Sequence, residues 1–277
     1  MTVPTQSRQR SKDGPRTYAW PPQPPHEFEH LSVTSAIKSL SKPFLIGWAA
    51  KMSAECAVED HEIIGAMLAK KQKKAALDYV KQARFRDSEG KADRGTIVHA
   101  AMEAYVAGKS VDTDAVQFAL EEKMVPEGLW KATFKMIDGV MEFLFDYEPE
   151  VIWSEATVYS RKYEYAGTAD MICRVRIGDS ILPAILDVKT GKSIYNEAAM
   201  QLTAYARADF VGLDDGTEKP LLPKKGEKIK HGIVIRPTAS GKYEKANYDL
   251  TDEVLNKFLA CLELADVDNV LARARRA

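Results

Sequence analysis

Residues 181–191 read ILPAILDVKTG, an apolar run that ends in an acidic and a basic side chain. A nearly continuous apolar run of this length is typical of a strand buried on both faces of a sheet. Pro183 marks either the start of this strand or a bulge in it. Because strand side chains alternate between faces, Asp187 and Lys189 point to one side and Val188 to the other. A carboxylate and an ammonium therefore share one face at the end of a buried strand.

The segments around this strand predict a mixed sheet flanked by helices. β-Branched and aromatic residues favour strands at 151–153, 156–159, 169–177 and 231–236. Apolar residues at helical spacing predict helices at 44–70, 96–106, 196–210 and 251–274. The predicted order is a group of helices, a run of strands, a helix, a strand and a final helix. This order indicates the α/β (α+β) class with a helical N-terminal part.

The chain is expected to form one domain after a tail. Residues 1–30 hold six prolines and few aliphatic side chains, which predicts a flexible Pro-rich segment. The remainder, 31–277, contains no linker that would divide it. Its expected parts are a helical part at 31–148, a sheet-containing core at 149–240 that includes the helix at 94–107, and a C-terminal helix at 251–275.

Composition excludes several classes of protein. The 277 residues are 45% hydrophobic and 29% charged, close to globular averages. No apolar run approaches the roughly 20 residues of a membrane span, and the N-terminus lacks a signal-peptide core, so a cytoplasmic location is expected. Cys56, Cys173 and Cys261 lack CxxC spacing, which disfavours a disulfide framework and a Cys-rich metal site.

The net charge of -1 argues against a nucleic-acid partner, but the charge is unevenly distributed. Residues 70–94 hold nine Lys/Arg against four acids, and residues 216–245 hold eight against three. Each stretch has a local excess of about +5. The two stretches are either a track for DNA phosphates or solvated loops rich in lysine.

Further polar residues favour a metal site near Asp187. A hairpin at 178–180 would bring Asp170 alongside Asp187, and a divalent cation such as Mg²⁺ would remove their mutual repulsion. His99 and Glu103 are four residues apart on one predicted helix and share a face. Taken alone, Asp187 and Lys189 are an ordinary ion pair, and a lone helical histidine is more often packed or solvated.

Four motifs in order resemble the PD-(D/E)xK nuclease superfamily. They are RGTIVH at 94–99, GTAD at 167–170, DVKTG at 187–191 and QLTAY at 201–205. The chain is most similar to the RecB-like branch, and within it to phage exonucleases related to the CRISPR-associated RecB-type nucleases. Residues 32–50 also resemble the amino-terminal segment of phage members. The resemblance implies a restriction-endonuclease-like fold.

The resemblance also implies roles for individual residues. Lys189 would position or deprotonate the attacking water, and Gln201 and Tyr205 would orient the nucleic-acid backbone or the lysine. Glu155 and Glu103 are possible further site residues. The implied ligands of a Mg²⁺ or Mn²⁺ ion are His99, Asp170, Asp187 and the Val188 carbonyl.

The expected activity is metal-dependent exonucleolytic hydrolysis of DNA in phage recombination or repair, in the host cytoplasm. A single-strand annealing protein is a candidate partner, and a homo-oligomer is left open. Iron–sulfur relatives use four cysteines, three of them after the core. Only Cys261 follows the core here, so no cluster is expected.

Alternative functions are an endonuclease of the same superfamily or a non-catalytic DNA-binding or recombination-complex subunit. A nucleotide-driven motor is disfavoured, because Leu186 occupies the first glycine position of a phosphate-binding loop. Stacking of Trp20, Phe44 or Trp48 on an unpaired base is a further hypothesis. The helical spacing of Phe44 and Trp48 instead favours the hydrophobic core.

Overall fold

A computed structural model describes residues 7–9 and 14–265 and has a mixed α/β fold. Its strands, in chain order, are β1 Ser7–Gln9, β2 Arg16–Trp20, β3 Phe28–Ser32, β4 Glu150–Ser160, β5 Tyr165–Ile177, β6 Ser180–Val188, β7 Phe210–Gly212, β8 Glu218–Lys219, β9 His231–Pro237 and β10 Tyr243–Asp249. Its α-helices are α1 Val33–Ile37, α2 Phe44–Glu59, α3 His61–Ala69, α4 Lys73–Val106, α5 Thr113–Glu122, α6 Trp130–Tyr147, α7 Ala198–Ala206 and α8 Asp252–Ala265.

The centre of the sheet is an antiparallel meander, β4-β5-β6, extended by β9 and β10. The β5–β6 hairpin pairs Met171 with Leu186. Strand β9 lies parallel to β6 and pairs Val234 with Asp187. Parallel neighbours need a crossover connection, and the segment 189–230 between them carries α7. This topology places the carboxyl end of β6 in the middle of the sheet.

Helices cover both faces of the sheet. Helices α4, α5 and α6 pack on one face, where they meet Leu186 and Val188 of β6. Helices α1, α7 and α8 pack on the other face, where they meet Ile185. The prediction that the strand at 181–188 is buried on both faces is therefore confirmed for 183–188, whereas Ile181 at its start is exposed. Pro183 lies inside the strand, opposite Arg174 and just before the pairing with β9 begins.

The prediction of a flexible tail over 1–30 is wrong for its described part. Strands β1, β2 and β3 join the sheet through a parallel contact of β3 with β5. Trp20 is buried against Tyr159 and Phe210. The segment has few aliphatic residues, but its aromatic side chains supply enough apolar area to bury against the sheet. Residues 1–6 and 10–13 lie outside the described part.

Several boundaries also differ from the predicted ones. The helix expected at 44–70 is divided at Asp60 into α2 and α3, and the helix expected at 94–107 is the last part of the 34-residue α4. The sheet continues past residue 240 into β10. The C-terminal helix is described only to Ala265, so its expected end at 275 lies outside the described residues. None of the helices in the described ranges is long and apolar enough to cross a membrane.

Gly167 is required by the packing of α7 on β5. A Cβ at this position would lie 2.7 Å from Cε1 of Tyr205. We expect Gly167→Ala to lower the free energy of unfolding by about 1–3 kcal/mol, because the buried ring has no room to move. Urea denaturation measures this. The control is Gly47→Ala in α2, where a Cβ meets no atom within 4 Å and a gain of about 0.5–1 kcal/mol is expected. Equal effects at both positions would contradict the packing explanation.

Candidate functional site

The site is built at the carboxyl end of β6. The β5–β6 hairpin brings Asp170 beside this end, as predicted, and an Asp170 oxygen accepts a hydrogen bond of 2.8 Å from the Val188 N–H. Asp187 and Lys189 form an ion pair on the α7 side of the strand, while Val188 packs on the α4 side. The predicted alternation of side chains is therefore confirmed.

His99 reaches the same place from α4. Its Nε2 lies 3.0 Å from the Val188 carbonyl oxygen, which can only accept, so Nε2 carries the proton. The other ring nitrogen, Nδ1, lies 3.4 Å from an Asp170 oxygen. A Cβ on Gly95 would lie 2.9 Å from the Thr190 hydroxyl, so glycine lets α4 come this close to the end of β6.

Glu155 completes the group from β4. Its backbone φ is +50°, in the left-handed region that non-glycine residues rarely adopt, and the β4–β5 register shifts nearby, between Val151 and Trp153. An Oε1 atom of Glu155 lies 3.7 Å from Nδ1 of His99. Backbone strain of this kind is found at functional sites, where the surrounding structure maintains it. The sequence indicated Glu155 only as a possible site residue, because a positive φ within a strand leaves no sequence signal.

The three side chains could hold a metal ion. One ligand atom from each of His99, Glu155 and Asp170 lies within 4.8 Å of the others. The Nδ1 of His99 and Oε1 of Glu155 are buried and have no hydrogen-bond partner in the described part of the chain. Buried polar atoms without partners are costly, and a cation would satisfy both. One nitrogen and two carboxylate donors suit Mn²⁺ or Mg²⁺, and a ligating histidine commonly donates its other N–H to a carbonyl, as here.

This candidate group differs from the ligand set that the resemblance implies. Asp187 is not in the candidate group, and it accepts hydrogen bonds from Lys189 and Gln201. The Val188 carbonyl accepts the His99 hydrogen bond. Glu103, one turn along α4 from His99, is also outside the group. Glu155 is the third member in place of Asp187.

Charge within the group raises the pKa of His99. Burial disfavours the imidazolium, but the carboxylates of Asp170, Glu155 and Asp187 outweigh burial and raise the pKa to about 9. Without a cation, a proton on His99 therefore offsets part of the negative charge. The carboxylates thus create a site that favours positive charge.

A second polar network adjoins this group. The Lys189 ammonium donates to Asp187 at 2.8 Å and to the Gln201 side-chain oxygen at 3.1 Å. The Gln201 amide donates to Asp187 at 3.0 Å and to the Tyr205 hydroxyl at 3.2 Å. The structure thus brings together all four of these sequence-predicted residues.

Asp187 and Lys189 each stabilise the charged form of the other. Burial raises the pKa of Asp187 to about 6, against the opposing charge of Lys189. Burial lowers the pKa of Lys189, but the carboxylates of Asp187 and Asp170 outweigh it, so the net shift is upward. Burial also raises the pKa of Tyr205, which keeps its hydroxyl neutral. Lys189 is therefore a cation held on a buried carboxylate, with its side chain 38% exposed toward solvent.

The second basic stretch, residues 216–245, has most of its lysines on the surface. In the second stretch, the acids pair with arginines: Glu218 with Arg161, Glu227 with Arg174 and Glu244 with Arg236. Five lysines of that stretch are exposed and form no ion pair within the described residues; they are Lys219, Lys224, Lys225, Lys228 and Lys230. A DNA track along them stays a prediction.

No protein-family model matches this chain, and no curated protein matches it. The chemistry of the site therefore carries the functional inference.

Proposed function

We propose that this chain is a metal-dependent deoxyribonuclease of the PD-(D/E)xK type that acts on DNA ends. The observation that carries the proposal is the buried group of His99, Glu155 and Asp170 beside the Asp187–Lys189 pair. The transition state of phosphodiester hydrolysis gains negative charge. A group that favours a bound cation, next to the fixed Lys189 ammonium, would stabilise that charge. The resemblance of the four ordered motifs supports the same activity.

The residues divide into two roles. His99, Glu155 and Asp170 would hold the cation, with the Val188 backbone fixing His99 and Asp170 in place. When bound, a divalent cation such as Mg²⁺ or Mn²⁺ supplies an acidified water and polarises the phosphoryl oxygen.

The second role belongs to the Lys189 network. Asp187 and Gln201 orient the Lys189 ammonium, which would donate to a phosphate oxygen or to the attacking water. Tyr205 holds Gln201 in place through its hydroxyl. Recombination or repair of phage DNA, with a single-strand annealing protein as partner, is the biological setting that the resemblance suggests.

The test is degradation of end-labelled linear DNA with Mg²⁺ or Mn²⁺, compared with a closed circle of the same sequence. We expect nucleotides to be released from linear DNA, no release in the presence of a chelator, and an intact circle. Cleavage of the circle would instead favour an endonuclease. Binding of DNA without cleavage under any metal would favour the non-catalytic subunit and overturn the proposal.

A further inference from the structure

A pocket of about 300 Å³ opens beside the Lys189 network. Two residues of that network, Lys189 and Gln201, form part of its wall. The rest comes from α1 and the residues that follow it, from the loop after β6 and from the start of α7. Besides the network residues, the charged and aromatic lining consists of Lys38, Lys42, Tyr195 and Glu197. The pocket is therefore continuous with the proposed catalytic residues.

The lining carries an excess of positive charge. Three lysines face one glutamate, and Lys42 pairs with that glutamate, Glu197. Lys189 is bound to Asp187. Lys38 is exposed, and within the described ranges it forms no ion pair. An ammonium in the pocket wall that forms no ion pair favours an anionic ligand, and a phosphate group is the anion that Lys189 would face in the proposed reaction.

Exposed aromatic rings border the same pocket. Tyr195 is 48% exposed and Phe44, from the first turn of α2, is 57% exposed. Their rings stack with centroids 6.2 Å apart and planes 11° apart. The expectation that Phe44 belongs to the core is therefore wrong, because α2 packs on α4 and its first turn faces solvent. Trp20 is buried and unavailable for stacking. Ordered aromatic rings beside cationic side chains are the features with which proteins bind unpaired nucleotides.

We infer that this pocket binds one unpaired nucleotide at the end of a DNA strand, with its phosphate toward Lys38 and Lys189 and its base against Tyr195. The inference rests on the proposed nuclease function and specifies its substrate class. Ligand pockets range from about 300 to 1,000 Å³, so a pocket at the lower limit suits a single nucleotide. A base-paired end carries a second base and a second backbone and is too large for it. The favoured substrate is therefore DNA with a single-stranded end.

Binding without cleavage gives the first test. The probe is a short single-stranded oligonucleotide with 2-aminopurine as the terminal base, titrated with the full chain in a chelator. We expect 2-aminopurine fluorescence to be quenched on binding, and Tyr195→Leu to abolish the quenching and weaken binding about tenfold. Tyr105→Leu is the matched control, since Tyr105 is 46% exposed and lies outside this pocket. Unchanged quenching in Tyr195→Leu would overturn the inference, as would equal competition by blunt duplex DNA.

The salt dependence of binding gives a second measurement. Lys38→Gln should reduce the slope of log K against log salt by about 0.7, the value for one phosphate contact with a single strand. Lys38→Arg should restore the slope. An unchanged slope in Lys38→Gln would show that Lys38 contacts no phosphate, and it would overturn the inferred placement of the nucleotide.

Cleavage assays distinguish failure of this inference from failure of the proposed function. If quenching depends on Tyr195 but wild type cleaves no DNA, the nuclease proposal fails and the nucleotide pocket stands. If wild type cleaves DNA and Tyr195→Leu binds and cleaves single-stranded ends like wild type, the pocket inference fails and the nuclease proposal stands.

Discussion

Asp170→Asn is expected to slow the release of nucleotides from linear DNA by about 10³-fold, equivalent to about 4 kcal/mol. Asp170 contributes a carboxylate oxygen to the group formed with His99 and Glu155. An asparagine oxygen can still accept the Val188 N–H, so the local backbone should be retained. We therefore expect the free energy of unfolding to change by no more than about 1 kcal/mol. Rates on end-labelled DNA, calorimetric titration with Mn²⁺ and urea denaturation measure the three quantities.

The matched control is Glu103→Gln. Glu103 is one turn along α4 from His99 but lies outside the group of ligand atoms, so cleavage and Mn²⁺ binding should stay near the wild-type values. Glu155→Gln should resemble Asp170→Asn, since Glu155 is the third member of the group. Wild-type Mn²⁺ affinity in both Asp170→Asn and Glu155→Gln would show that the cation binds elsewhere.

The central hairpin could be predicted because its determinants are local. The apolar run before Asp187 identifies a buried strand, and its alternation gives the faces of Asp187 and Lys189. A turn at Gly178, whose φ is +60°, then sets the register that brings Asp170 to the end of β6. Spacing along α7 likewise aligned Gln201 with Tyr205.

The missed features leave no signal in the local sequence, because they depend on distant residues or on an unusual backbone conformation. The place of Trp20 in the sheet depends on Tyr159 and Phe210, which are far along the sequence. The approach of Glu155 to His99 depends on the positive φ of its own backbone. Phe44 is exposed because of where α2 packs. Helical spacing in the sequence identifies an apolar face of a helix, but it does not identify the element that covers this face.

Lys189→Met is expected to affect both stability and activity. Asp187 is almost completely buried, and removal of its cationic partner leaves a carboxylate supported by Gln201. Loss of one partner of a fully buried ion pair costs about 3–5 kcal/mol, and because the Lys189 side chain is 38% exposed we expect about 2 kcal/mol. Cleavage should fall by at least about 10²-fold, because the ammonium that would meet the phosphate is removed.

The double variant Asp187→Asn/Lys189→Met separates the two effects. Without a charge at position 187 there is no buried carboxylate to support, and an asparagine oxygen can still accept from the Gln201 amide. We therefore expect urea denaturation to show most of the lost stability recovered, while DNA cleavage stays as low as in Lys189→Met. Recovery of stability and of cleavage together would mean that Lys189 acts only by neutralising Asp187. Recovery of stability alone would indicate that the reaction needs the Asp187–Lys189 pair itself, beyond its effect on folding.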